Sequence, residues 1–190
     1  LASKFGVSRQ PISHALAMLK QEGLVVDRGR KGQMVAPIDP EKLLAQYQVR
    51  GALDRLAARL AAIQSHQSSS RLLEIVDRGI DALNKRSVDG LVSADIAFHS
   101  ALYELSGNHE ITITAENFWP HIARSMRVVL EDKDQWLRIW GEHRAIAQAI
   151  EDGNIEKAGD LATDHAVKSG EATYQRLLSE QSQSLKQANK

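Results

Sequence analysis

Apolar residues recur along most of this chain at intervals of three and four, the period of a helix, and only two short runs read as strands. Leu1 to Phe5 has the look of a helix end, closed by Gly6. Ser8 is a good cap for a second helix that continues from Arg9 to Glu22, with Pro11 in its first turn and Gly23 as its stop. Ile12, Ala15, Leu16 and Leu19 form its inward stripe. The two strand-like runs, Leu24–Asp27 and Gln33–Ala36, flank the glycine-containing turn RGRKG. The segment PIDPEK reads as a junction, because its prolines disfavour helix before them while Asp39 can cap the helix that follows. From there the periodicity predicts helices over 40–64, 70–86, 89–106, 109–132, 134–152 and 154–182, separated by short polar stretches such as SHQSSS and EDKD. Pro120 should kink or interrupt the fourth. Short connections between long helices make an antiparallel bundle.

The expected chain is therefore mainly α. Residues 1–36 form a winged helix-turn-helix, 37–40 a linker, 41–182 an all-helical bundle, and 183–190 a disordered tail. Charge sharpens this division. The net charge is zero, yet residues 1–36 hold six basic groups against two acidic ones, leaving 18 basic and 22 acidic groups in the remainder. A basic module joined to an acidic one suggests a polyanionic partner for the first alone. In a winged helix the second helix enters the major groove of double-stranded DNA and the hairpin tip lies against backbone or minor groove. Arg9, Gln10, Ser13 and His14 stand on the outer side of that helix, and Arg28, Arg30, Lys31 and Gly32 make the wing. These eight residues are the candidate DNA contacts.

In the larger module the pattern breaks in three places. Leu91, Phe98, Leu102 and Leu105 form one stripe, but Asp95 falls in its middle and His99 on its flank. His143 sits among Trp136, Ile139, Trp140, Ile146, Ala147 and Ile150, and His165 among Ala158, Leu161, Ala162 and Ala172. An unpaired charge on a buried face costs several kcal/mol or changes its protonation, so Asp95 needs a partner. Counted from the turn at Gly153, His143 lies 10 residues back and His165 12 residues on, or about 15 and 18 Å along their helices. They stand at one level. Asp95 and His99 are one turn apart and can point to one spot. A lone histidine on an apolar face is ordinarily a satisfied core residue; four polar groups on three such faces at matching levels form a candidate divalent-metal site. His66, His109 and His121 carry no comparable argument.

Composition narrows the chemistry. The absence of cysteine excludes disulfides, thiolate metal sites and cysteine nucleophiles, leaving nitrogen and oxygen as ligands. Zinc or nickel suits such a set foremost, and manganese or iron tolerates it. No run approaches the roughly 18 apolar residues that span a bilayer, and no basic-then-apolar leader is visible, so the expected location is cytoplasmic and no membrane partner is expected. The chain opens with Leu1 in mid-motif, from which a missing N-terminal segment is expected.

LASKFGVSRQPISHALAMLKQEGLVVDRGRKGQMV closely resembles the GntR family of bacterial transcription regulators, whose motif carries Leu-Ala, Gly-Val-Ser-Arg, a proline, Ala-Leu and Glu-Gly-Leu-Val at these spacings. The resemblance implies that Arg9 contacts DNA and that Gly32 permits close approach of the wing. Ser13 departs from it: the family often has a second arginine there, so base preference should differ. ADIAFHSALYELSGN and EHRAIAQAIEDGNIEKAGDLATDH, with YQVRGALDRLAARLAA before them, resemble the FCD effector domain of the FadR-like branch. That resemblance implies an all-helical bundle whose metal-binding members use residues matching Asp95, His99, His143 and His165. It also implies that the metal helps to bind a small carboxylate effector, an organic or sugar acid, with Arg50 or Arg124 as candidate counter-charge. On periodicity, Arg50 lies on the flank of a stripe of Val49, Leu53, Leu56, Leu60 and Ile63, where pairing with Asp54 at a surface or interface is an equal alternative.

The expected function is a homodimeric, metal-dependent repressor that leaves its operator when the acid binds. One alternative is a helical-bundle metalloenzyme, since open positions on such a metal can activate water. It lacks a visible general acid or base beyond the ligands. The other is a DNA-binding regulator whose metal is purely structural.

Overall fold

The computed structural model describes residues 1–64, 69–129 and 133–188 and divides into two compact units, Leu1–Ile38 and Asp39–Lys190. In the first, α1 (Ala2–Phe5) ends at Gly6 in the left-handed conformation (φ 65°), and α2 (Arg9–Gln21) begins after Ser8. Strands β1 (Val25–Asp27) and β2 (Gln33–Val35) pair antiparallel with Val25 opposite Val35 and Asp27 opposite Gln33. A 3₁₀ turn over Gly29–Lys31 makes the tip, closed by Gly32 at φ 90°, a conformation that disfavours any side chain. Lys20 pairs with Asp27 at 2.5 Å and ties α2 to the hairpin. The stripe expected to pack inward is only half covered: Ile12 and Leu16 are partly buried, while Ala15 and Leu19 are exposed. A unit of this size has too little chain to enclose them.

The second unit is all helix: α3 (Pro40–Ile63), α4 (Ser69–Asn84), α5 (Val88–Leu105), α6 (His109–Glu116), α7 (Trp119–Val129), α8 (Lys133–Glu151) and α9 (Ile155–Ala188). The Asp39 carboxylate accepts from the Lys42 amide at 3.0 Å, the N-cap expected at the junction. The single helix expected over 109–132 is two: α6 stops at Glu116 and α7 restarts at Trp119, which places Pro120 in a first turn, where its missing N–H costs nothing. Residues 65–68 of SHQSSS and 131–132 of EDKD lie outside the described residues. The tail expected from residue 183 continues instead as helix to Ala188; SLKQA contains no breaker.

The core joins α3, α4, α5, α8 and α9 around Leu72, Ile75, Phe98, Leu102, Trp140 and Ile146. Helices α3 and α9 run antiparallel, since Tyr47 meets Gly170, Gly51 meets Ala166, Arg55 pairs with Asp160 and Arg59 with Glu156. A Cβ on Gly170 would come within 2.6 Å of Tyr47, so the glycine permits this approach. Close packing overturns the expected stripe of α3. The buried face is Leu43, Tyr47, Arg50, Gly51, Asp54, Ala57, Ala58, Ala61 and Ala62, whereas Val49, Leu56 and Ile63 are 50, 44 and 59% exposed. Small residues let the backbones approach, and the larger aliphatics are turned outward.

Candidate metal centre

Helices α5, α8 and α9 bring Asp95, His99, His143 and His165 together, all buried, with one ligand atom from each lying within 4.8 Å of the others. Asp95 and His99 descend from α5 one turn apart. His143 and His165 meet across the α8–α9 hairpin with their Nε2 atoms 3.2 Å apart, so the two helices stand at one level there. His143 Nε2 is 3.6 Å from Asp95 Oδ1. Phe98 stacks on the His143 ring at 4.1 Å, and Trp140 meets it edge-on at 4.9 Å, which fixes the plane of that imidazole.

Neighbouring groups determine which ring nitrogens are free. The His165 Nδ1–H donates to Glu142 Oε2 at 2.9 Å; a carboxylate only accepts, so the Nε2 lone pair faces the cluster. At His99, Nε2 takes a hydrogen bond from the Arg50 guanidinium, which can only donate, and Nδ1 lies 3.5 Å from Asp54 Oδ2. Burial holds all three histidines well below the ordinary imidazole value, aided by Arg50 and by one another or by Arg138, and hence neutral at physiological pH. Burial also pushes the Asp95 carboxyl up to about 6, against the pull of Arg50. Three neutral imidazoles and one carboxylate whose Oδ2 is buried without a hydrogen-bond partner suit a divalent cation of borderline character, which would satisfy that oxygen.

Arg50 does not lie on a flank or at a surface. It is 2% exposed, donates from Nε to Asp54 at 3.2 Å and lies over the Trp119 and Tyr47 rings at 5.1 and 5.5 Å. Asp54 also accepts from the Tyr103 hydroxyl at 2.5 Å. Burial lowers the Arg50 guanidinium and raises the Asp54 carboxyl; for Arg50 the neighbouring Asp54 and other acidic groups prevail and the shift is upward, whereas for Asp54 burial prevails over the pull of Arg50 and the Tyr103 hydroxyl and its carboxyl also lies above the ordinary value.

A small cavity of about 30 Å³ adjoins the cluster, with Asp95 and His165 in its wall beside Tyr47, Arg50, Arg138 and Ser169. Arg138 was not among the residues singled out from the sequence; its signal is the Arg138–Glu142 spacing that runs into His143. Arg124 is not among the lining residues. It sits half-buried on α7, with Nε and Nη1 lacking hydrogen-bond partners and its guanidinium lowered by burial. Of the candidate DNA contacts, Arg9, Gln10, Ser13 and His14 are all exposed along α2, with the Ser13 hydroxyl donating to the Arg9 carbonyl at 3.1 Å, and Arg28, Arg30, Lys31 and Gly32 are exposed at the wing. No helix among the described residues is long and apolar enough to cross a membrane.

Comparison with known proteins places this geometry in context. Residues 45–168 match the FCD domain, and residues 1–35 match the bacterial regulatory proteins of the gntR family. An HTH-type transcriptional regulator of Streptomyces ambofaciens is 30% identical over 87% of this chain and 70% of its own length. The gluconate operon transcriptional repressor of Bacillus subtilis is 28% identical over 79% of this chain and 64% of its own. The crystal structure of a putative GntR transcriptional regulator from Rhodococcus sp. RHA1 superposes with a TM-score of 0.77 at 23% identity, covering 90% of this chain and 83% of that one.

Proposed function

For a chain that belongs to the FCD-domain regulators of the GntR type, DNA-binding transcription factors rather than enzymes, we propose metal-dependent repression relieved by a small carboxylate. The observation that carries this reading is a buried Asp95–His99–His143–His165 cluster opening on a cavity with two arginines, Arg50 and Arg138, in its wall. When bound, the metal supplies a Lewis-acidic centre with room for one or two further oxygen ligands. The chain's own residues do the rest. Asp95, Nε2 of His143 and of His165 and a ring nitrogen of His99 hold the ion; His99 Nε2 can serve only when Arg50 releases it, and Arg50 and Arg138 neutralise an entering carboxylate by charge-assisted hydrogen bonds. The gluconate operon named for the Bacillus subtilis relative makes sugar acids the first class to try.

On the DNA side, Arg9, Gln10, Ser13 and His14 read base edges and the Arg28–Gly32 wing holds the backbone, as a homodimer on a two-fold operator. Coupling requires that the acid bind one arrangement of the regulator more tightly than another, and roughly 1–3 kcal/mol is typical. Metal analysis of protein purified without an affinity tag should find one divalent ion per chain. His143→Ala and His165→Ala should lose it together with thermal stability. Operator titrations with and without gluconate, on wild type and His165→Ala, complete the test. Full metal occupancy in both histidine variants would remove the cluster, and an equal response to the acid in both proteins would reduce the ion to a structural clamp.

A further inference from the structure

Helix α8 carries a ladder of polar side chains that ends on a candidate ligand of another helix. Gln135 Oε1 accepts from Arg138 Nε and Nη2 at 3.2 and 2.9 Å; Arg138 Nη1 donates to both Glu142 oxygens at 2.7 and 2.8 Å; Glu142 Oε2 accepts from His165 Nδ1 at 2.9 Å. Gln135 and Arg138 line the cavity, and His165 projects from α9. The spacing of three and then four residues keeps the first three groups on one face of α8. Among the cluster's histidines, His165 has the best-formed outer hydrogen bond: Nδ1 of His143 and Nδ1 of His99 have no hydrogen-bond partner.

We propose that Glu142 is a positioning residue for the metal centre, fixing the tautomer and ring plane of His165 so that Nε2 faces the ion, and that Arg138 acts through Glu142 by holding its carboxylate in place. The inference rests on the metal reading above. A carboxylate behind a metal-bound imidazole selects the Nδ1–H form, raises the basicity of Nε2 and removes the freedom of the ring to rotate. Arg138 supplies what Glu142 lacks, since a half-buried glutamate with 20% of its side chain exposed would otherwise sample several rotamers. The same contact makes one guanidinium common to the cavity wall and to the metal's outer shell.

The test uses the full chain with zinc, measured by competition against a chromophoric chelator. Glu142→Ala should weaken zinc binding about ten- to a hundredfold, and Glu142→Gln, whose amide oxygen still accepts from Nδ1–H, should recover part of that loss. Arg138→Ala should weaken binding to a lesser degree, and the Arg138→Ala/Glu142→Ala double variant should bind no worse than Glu142→Ala, because the two residues act in series. Nitrogen-15 shifts of His165 in metal-free protein give a readout that general loosening would not mimic: wild type and Glu142→Gln should show the Nδ1–H form, Glu142→Ala a mixture. Wild-type affinity and an unchanged tautomer in Glu142→Ala would overturn the proposal alone. Failure of the wild type to take up zinc would overturn the metal reading and this inference with it.

Discussion

Replacing Asp54 by Asn tests whether the interior of the helical unit is organised around a buried charge. Asn keeps the volume and one acceptor for the Tyr103 hydroxyl but removes the anion that faces Arg50. Arg50 is 2% exposed, and its hydrogen-bonding neighbour besides Asp54 is the neutral His99, so the guanidinium would lose its ion pair and keep only the field of Asp95 as negative charge. Breaking a buried pair from one side costs about 3–5 kcal/mol, far more than the half-kilocalorie scale of an exposed pair. Weakening the Tyr103 bond from a charged to a neutral acceptor acts in the same direction. Against a total of about 5–15 kcal/mol, that is a large share. In urea at neutral pH the midpoint should fall with unchanged slope, and the melting temperature should drop by about 6–20 °C. The double variant Arg50→Met/Asp54→Leu removes both charges and should lose less than Asp54→Asn, because no orphaned ion remains. A cost for Asp54→Asn under about 1 kcal/mol, or a double variant less stable than the single one, would refute the reasoning.

Other measurements probe the remaining contacts. Gly79→Ala should destabilise by about 1–3 kcal/mol despite the better helix propensity of alanine, because the added methyl would lie inside the buried Trp140 ring; equal or higher stability in urea would contradict that packing. Metal-free protein should lose stability as the pH falls below the ordinary imidazole value of 6.5: the unfolded histidines take up protons that the buried ones refuse, so the unfolded state binds more protons and is favoured, while protonation of Asp95 opposes this in part. A flat profile between neutral and mildly acidic pH would show that the rings are solvated. Arg9→Ala should weaken specific DNA binding by about 1–3 kcal/mol, measured on a cognate operator by fluorescence anisotropy, and unchanged affinity would remove it from the interface.

The cluster of Asp95, His99, His143 and His165 was legible because its members violate the rule that surrounds them. Asp95 interrupts a stripe that includes Leu91, Phe98 and Leu102, and a carboxylate there either has a purpose or destroys the fold. The turn at Gly153 then set His143 and His165 at one level by arithmetic on helix rise. Helix α3 was misread for the opposite reason. Its inward face is made of Gly51 and four alanines around Arg50 and Asp54, residues that score poorly by hydropathy although they permit close approach to α9, and the outward Val49, Leu56 and Ile63 supplied a stronger pattern. Nothing in one helix's periodicity reports that its neighbour is close enough to demand small side chains. Glu142 was hidden similarly: an i,i+4 pair with Arg138 resembles an ordinary solvated pair until His165 of another helix is placed against it.

These two readings meet in the way the site is held. In the proposed site, ligands from α5, α8 and α9 would give an ion binding energy that belongs to the folded state alone, so a bound metal would stabilise the arrangement of three helices at once. That alone makes a clamp. The proposed regulation needs a second term that differs between arrangements of the protein, for which the groups shared by the cavity and the cluster are the candidates: Asp95 and His165 as candidate ligands, Arg50 through Asp54 and His99, Arg138 through Glu142. A carboxylate that draws either guanidinium toward itself changes the outer contacts of a histidine, and by linkage any change it makes in metal affinity must be matched by an equal effect of the metal on its own binding. An acid whose affinity is the same with and without the ion would therefore bind beside the centre without reporting through it.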